Sequence, residues 1–177
     1  GTAGIEFNGT NYTVTNVSSL FTSTLGQLSA GTYNYYWWAY GNGTAHNYNV
    51  SATYSYTVNK SNSLVYTYLN DSRDNLTIYA GTSIWLNASR IAGEGSVSLY
   101  NNGTLINLGA NVSNYTSFGD VGMYNITAIC PATQNYSSSF ETWWLNVTAA
   151  PFSLAIDLSS QLSQRISWNI VTLPMFN

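Results

Sequence analysis

Asp120-Val121-Gly122-Met123-Tyr124-Asn125-Ile126 decides the fold, because the chain contains it twice: Ser29-Ala30-Gly31-Thr32-Tyr33-Asn34-Tyr35 precedes it. Asn47-Tyr48 after the first copy returns as Asn135-Tyr136, and Tyr56-Thr57-Val58-Asn59 as Leu145-Asn146-Val147-Thr148, so the offset stays at 88 to 91 residues. A repeat of this length sets the frame in which the rest is read. Around both copies Tyr, Trp, Val, Ile and Thr alternate with polar residues at period two. No stretch sustains helical i, i+3, i+4 spacing beyond a turn or two, so an all-β chain is expected. The alternation predicts strands over 11–17, 31–40, 52–58, 64–69, 76–79, 83–88, 96–100, 123–129 and 142–147. Turn chemistry separates them at Asn42-Gly43, Asp71 to Asp74, Gly93-Glu94-Gly95 and Asn102-Gly103.

The offset matches an immunoglobulin-like module of about 100 residues. Asp120-x-Gly122-x-Tyr124 resembles the D-x-G-x-Y turn into strand F of such domains, where the Tyr hydroxyl bonds back to the main chain as a tyrosine corner. Tyr33 holds the same place in the first copy, with Ser29 replacing the Asp. The Cys that follows in antibody domains is Ile126 in one copy and Tyr35 in the other, so the resemblance stops short of the inter-sheet disulfide. Cys130 is the single cysteine, so cohesion must come from packing alone. Choosing one residue per strand by alternation, the core should hold Leu64 or Val65, Ile84 or Trp85, Val97, Leu99, Tyr124, Ile126 and Trp143 or Trp144. The AGTYNY run, the Asn-Tyr loop and the Tyr-Thr-Val-Asn-Lys-Ser linker resemble tandem immunoglobulin-like repeats of prokaryotic, especially archaeal, surface proteins. That resemblance spans about residues 28–104 and 120–148 and implies a stalk, adhesin or filament subunit.

Two immunoglobulin-like β-sandwich domains are therefore expected, one of them incomplete. Residues 60–149 carry a full module. Residues 1–59 do not, because Gly4 to Thr10 aligns with Val97 to Thr104 and so begins at a third strand. The tail, 150–177, resembles the two strands that are wanting: Ser153 to Leu158 alternates like Ser63 to Tyr68, and Arg165 to Ile170 resembles Ser83 to Ala88. An uncovered apolar face and an unpaired edge cost more than about 60 residues can offset. Phe152, Leu154, Ile156, Leu158, Ile166, Trp168 and Ile170 are thus candidate donor-strand residues that complete the first domain of an adjacent, identical subunit. Repeated head to tail, such a contact generates a filament. The resemblance here is to archaeal thread-like and donor-strand pili. A tail folded back on its own first domain, in a monomeric stalk or adhesin, and a window cut from a longer array are the alternatives.

Fifteen Asn-x-Ser/Thr triplets mark glycan acceptors at Asn8, Asn11, Asn16, Asn42, Asn49, Asn59, Asn70, Asn75, Asn87, Asn102, Asn111, Asn114, Asn125, Asn135 and Asn146. With 22 Asn and roughly a quarter of residues Ser or Thr, chance would supply only about five. The tail after Ala150 has none, as suits a segment destined for burial. Charged residues make up 6 % of the chain against about a quarter in ordinary soluble domains, so glycans rather than charge would hydrate the surface. An extracellular, cell-surface location follows, and the opening at Gly1 is read as that of a mature chain. A net charge of −3 gives no footprint for nucleic acid, and no run is apolar enough to span a membrane.

Catalytic chemistry is not expected. His46 is the one histidine, in a polar loop, and no nucleophile–base pair or zinc-ligand spacing accompanies it. Asp71 and Asp74 suit an Asx turn better than a calcium cage, and Glu94 with Asp120 would need to face each other to cleave a glycoside. Lys60, the only lysine, lies in the linker, away from any core isopeptide cross-link. No cofactor is implied beyond covalent N-glycans. In Trp37-Trp38 and Trp143-Trp144 one ring of each pair must face outward, where it could stack on a glycan of another cell in an adhesin or lie beneath the chain's own glycans.

Overall fold

The computed structural model describes residues 1–152, which form strands and connections and no helix. The first half holds β1 (Thr2–Phe7), β2 (Thr10–Thr13), β3 (Thr15–Val17), β4 (Leu20–Thr22), β5 (Gly31–Tyr40), β6 (Tyr48–Val50) and β7 (Tyr54–Val58). The second holds β8 (Leu64–Leu69), β9 (Leu76–Tyr79), β10 (Ser83–Ala92), β11 (Val97–Asn101), β12 (Thr104–Gly109), β13 (Asn111–Ser117), β14 (Gly122–Cys130) and β15 (Ser139–Thr148). The expected run 11–17 is divided between β2 and β3, and the expected runs do not include β1, β4, β6, β12 or β13; β4 and β6 are three residues long and β13 is Asn-rich, which weakens their strand signal.

Residues 64–148 are an immunoglobulin-like sandwich. One sheet is ordered β13-β10-β8 and the other β12-β11-β14-β15-β9, with β9 parallel to β15 along an edge. Alternation selects the core: Val65 and Leu69 of β8 and Ile84, Leu86 and Ala88 of β10 meet Val97 and Leu99 of β11, Ile126 and Ala128 of β14, and Leu145 and Val147 of β15. The open choices resolve to Val65, Ile84 and Trp143, while Leu64, Trp85 and Trp144 point outward. Cys130 is a buried free thiol in this core. The Tyr124 hydroxyl donates to the Asp120 carbonyl at 3.0 Å, and that of Tyr33 to the Ser29 carbonyl at 2.8 Å, so both copies of the repeated motif close the same corner.

An ion pair braces the sandwich edge. Arg73 meets Glu141 at 2.5 Å and lies 3.3 Å above the Tyr66 ring, and the buried Thr67 donates its N–H to the same carboxylate at 2.5 Å. Burial opposes ionisation of Glu141, but the hydrogen bonds from Arg73 and Thr67 and the charge of Arg73 outweigh it and hold its pKa below the ordinary value.

The N-terminal strands repeat half of this plan. β2, β1 and β5 pair in that order, and β6 and β7 share the far edge of β5, which reproduces β12-β11-β14-β15. Both units turn their first hairpin on Asn-Gly: Asn8 and Gly9 have φ of 49° and 84°, Asn102 and Gly103 have 46° and 79°, a left-handed pair that Asn-Gly tolerates best. Among the described residues, nothing in the first unit corresponds to β8, β9 or β10. The described residues are all-β, with two immunoglobulin-like units, of which the first has one full sheet and the two-stranded ribbon β3-β4.

Candidate functional site

Register carries each position of one unit onto the other. Ile5 stands opposite Trp37 and Phe7 opposite Tyr35, as Leu99 stands opposite Ala128 and Asn101 opposite Ile126. Across β5, Tyr33 pairs with Tyr56 and Tyr35 with Tyr54, as Tyr124 pairs with Leu145 and Ile126 with Trp143. Ala3, Ile5, Phe7, Tyr35, Trp37, Tyr54 and Tyr56 therefore lie on the face that in the second unit is core. Its covering is what differs. Leu145 has 0 % exposure, whereas Tyr56 has 53 % and Tyr54 49 %.

This face carries two apolar hollows. One of about 460 Å³ is lined from this face by Ala3, Phe21, Trp37, Ala39 and Asn49, and also by Trp38, Val50 and Ser51. The other, about 350 Å³, lies among Ile5, Phe7, Leu25, Leu28, Tyr35 and Tyr56. Phe7 stacks on Tyr33 at 5.2 Å, and with Ile5 is the best-covered part of the face. β7 pairs only with β5 among the described residues, whereas its counterpart β15 also holds β9. An apolar face, a free strand edge and a trough between them fit an added strand better than a small molecule.

The outer face is differently built. The Trp38 indole N–H donates to Asn11 Oδ1 at 2.8 Å, and its ring occupies the space that a side chain at Gly4 would need. Trp37 thus faces the trough and Trp38 the outside.

Ala30 meets the second unit at a polar junction. Ala30 N–H donates to Asn135 Oδ1 at 2.9 Å, Gln134 Nε2 donates to the Ala30 carbonyl, and Asn135 Nδ2 donates to Glu94 at 3.2 Å. Ser61 N–H donates to the Asn135 carbonyl at 2.8 Å and Lys60 to the Thr133 carbonyl at 2.6 Å.

The fifteen acceptor asparagines fall into groups that the sequence does not separate. Ten are exposed; Asn87, Asn114, Asn125, Asn135 and Asn146 are half-buried. Asn87, Asn125 and Asn146 lie on the outer faces of β10, β14 and β15. Asn114 lies on the core-facing side of edge strand β13, opposite Leu86, and Asn49 on the trough side of β6, opposite Ala39. The nitrogen that would carry sugar is committed at Asn135, to Glu94, and weakly at Asn87, to Asp71 at 3.4 Å.

Of the donor residues Phe152 is exposed, and Leu154, Ile156, Leu158, Ile166, Trp168 and Ile170 lie outside the described residues. The inward side chains are Val65, Thr67 and Leu69 in β8 and Ile84, Leu86 and Ala88 in β10. Counted from Val147 as Val65 is from Val58, Leu154, Ile156 and Leu158 correspond in sequence to the first row, one residue on from the match of Ser153 to Ser63, and Ile166, Trp168 and Ile170 correspond to the second.

His46 sits in the loop between β5 and β6, its N–H donating to the Gly43 carbonyl at 3.0 Å. Asp74 Oδ1 accepts the N–H of the next residue, Asn75, at 2.7 Å, one residue short of the i to i+2 bond of an Asx turn. Among the described residues no three His, Cys, Asp or Glu side chains gather as a metal-binding group.

No protein-family model matches the chain, and no curated protein matches it in sequence. Among solved structures it is similar to the fibronectin(III)-like modules of Clostridium thermocellum CbhA, at 14 % identity and a TM-score of 0.40, over 88 % of this chain and 82 % of that one.

Proposed function

We propose that the chain is a structural subunit of an extracellular, N-glycosylated filament, in which residues 151–177 of one subunit complete the N-terminal unit of the next. The observation that carries this reading is the uncovered face of β1, β5 and β7, set beside a tail whose spacing repeats that of the covered unit. Val58 at the end of β7 is seven residues before Val65, the first core residue of β8, and Val147 at the end of β15 is seven residues before Leu154. The tail thus leaves the second unit with the spacing of a strand that enters a third.

Geometry favours an adjacent copy over the tail's own groove. β15 starts at Ser139, four residues after the junction residue Asn135, and ends at Thr148 beside Tyr79. Its ten residues rise about 3.3 Å each, so Thr148 lies about 30 Å along the strand from that end. Returning that distance needs about nine extended residues, 149–157, and consumes the stretch that contains Leu154 and Ile156. An adjacent subunit whose N-terminal unit abuts the Thr148 end receives the same stretch at once. Corners of the same shape differ in cover: Ala30, at the junction, is 5 % exposed, whereas Val121, its counterpart at the free end, is 63 % exposed.

Burying the seven candidate donor side chains would contribute about 10 to 20 kcal/mol before ordering costs, at about 1.5 to 3 each. Glycans on the exposed asparagines would hydrate a surface with 6 % charged residues. The test is a chain ending at Ala150, compared with the full chain by negative-stain microscopy. It should be made and secreted but form no fibres, and adding a peptide of residues 151–177 should occupy its groove. Normal fibres without the tail would refute the mechanism.

A further inference from the structure

β4 and the irregular run after it occupy the place of β13. Counting back from the paired corners at Gly31 and Gly122, residues 20–26 take the positions of 111–117, and Phe21, Ser23 and Leu25 those of the inward-facing Val112, Asn114 and Thr116. The structure agrees with that phase: Phe21 lines the trough beside Trp37, and Ser23 and Leu25 line it beside Ile5 and Phe7. β13 is a sheet strand because β10 pairs with it from Ser83 to Ser89. Residues 20–26 have no such neighbour among the described residues, and β4 pairs only with the short β3.

We infer that residues 20–26 are a latent strand whose partner is the second apolar stretch of the tail, 165–171, from the neighbouring copy. The inference rests on the head-to-tail reading and adds a register. In β10 and β13, Ile84, Leu86 and Ala88 stand opposite Thr116, Asn114 and Val112. Carried over, Ile166 stands opposite Leu25, Trp168 opposite Ser23 and Ile170 opposite Phe21. The large Trp168 then meets the small Ser23, and the exposed Phe21 gains an aliphatic neighbour. On the outer face Ser167 stands opposite Thr24 and Asn169 opposite Thr22.

Directly opposed antiparallel residues have Cα atoms about 4.5 to 5.5 Å apart, within disulfide reach, whereas diagonal neighbours at about 7 to 8 Å are not. Cysteines are therefore placed pairwise in the full chain, as Thr24→Cys with Ser167→Cys and Thr22→Cys with Asn169→Cys, and in the exchanged pairs Thr24→Cys with Asn169→Cys and Thr22→Cys with Ser167→Cys. Fibres assembled under reducing conditions are then oxidised and run on denaturing gels. Both matched pairs should yield a ladder of multimers that reductant collapses to monomer, with at least tenfold less product from the exchanged pairs. Fibres that form normally but cross-link no better in matched than in exchanged pairs overturn the register and leave the head-to-tail reading standing. Matched pairs closing within one chain, read as cross-linked monomer of altered mobility, overturn the head-to-tail reading and this inference with it.

Discussion

Tyr56 and Leu145 hold the same place in the two units, and removing each should have opposite consequences for subunit and fibre. Tyr56 is 53 % exposed in the described chain, so truncation to Ala removes little that the free subunit uses. In a completed sandwich it would be covered as Leu145 is. A tyrosine presents about 200 Å² of surface, of which about half remains to be buried on docking; at about 25 cal/mol per Å² that is about 2.5 kcal/mol. Tyr56→Ala should therefore accelerate subunit loss from fibres by about 70-fold, and shift the melting of the free subunit by much less than Leu145→Ala does. The assay is the rate of monomer release from preformed fibres in mild denaturant, beside the thermal melt of chains ending at Ala150. Fibres of Tyr56→Ala that release monomer at the wild-type rate, or a free subunit destabilised as much as the fibre, would refute the reasoning.

In the sandwich, Leu99→Ala should cost about 2 to 5 kcal/mol as a fully buried cavity, and Tyr124→Phe only about 1 kcal/mol as one hydrogen bond to the Asp120 carbonyl, which paired melts would rank. Glu141 has a depressed folded pKa, so its contribution is present above the unfolded value of about 4.3 and is lost as pH falls through the lower folded value. Stability measured from pH 7 to pH 2 should fall less steeply in Glu141→Gln than in the wild type. Glycopeptide mapping should find Asn135 unmodified while exposed triplets such as Asn8 and Asn102 carry sugar. Asn135→Ala should widen the distribution of angles between the units in small-angle scattering, whereas Ser137→Ala, which removes the triplet but keeps the amide, should not.

The repeated corner made the fold legible, because Gly31-x-Tyr33 and Gly122-x-Tyr124 impose the same local hydrogen bond wherever they stand. The strands at 31–40, 64–69 and 76–79 begin and end where the sequence puts them, since turn-forming residues such as Gly41, Asn70 and Gly81 close each run. β13 escaped notice because Asn111 to Ser117 offers only Val112 and Tyr115 as apolar residues, on opposite faces, and is held by β10 rather than by its own propensity. The phase of β8 was also illegible. Leu64, Tyr66 and Tyr68 look as apolar as Val65 and Leu69, and the row that is inside shows only in the burial of Val65, Leu69 and Thr67, whose hydroxyl donates to the Glu141 carbonyl. A triplet likewise states that an asparagine could be glycosylated and not where its amide points, so the commitment of Asn135 to Ala30 and Glu94 had to come from tertiary structure.

A cryo-electron microscopy map of fibres assembled from the full chain would decide head-to-tail completion, because side chains of the size of Trp37, Tyr56 and Trp168 identify the segment that covers the face of β1, β5 and β7. Head-to-tail completion predicts Leu154, Ile156 and Leu158, then Ile166, Trp168 and Ile170, of one subunit seated on that face of the next. Density showing the face filled by the tail of its own chain, by any other segment, or by none would contradict it.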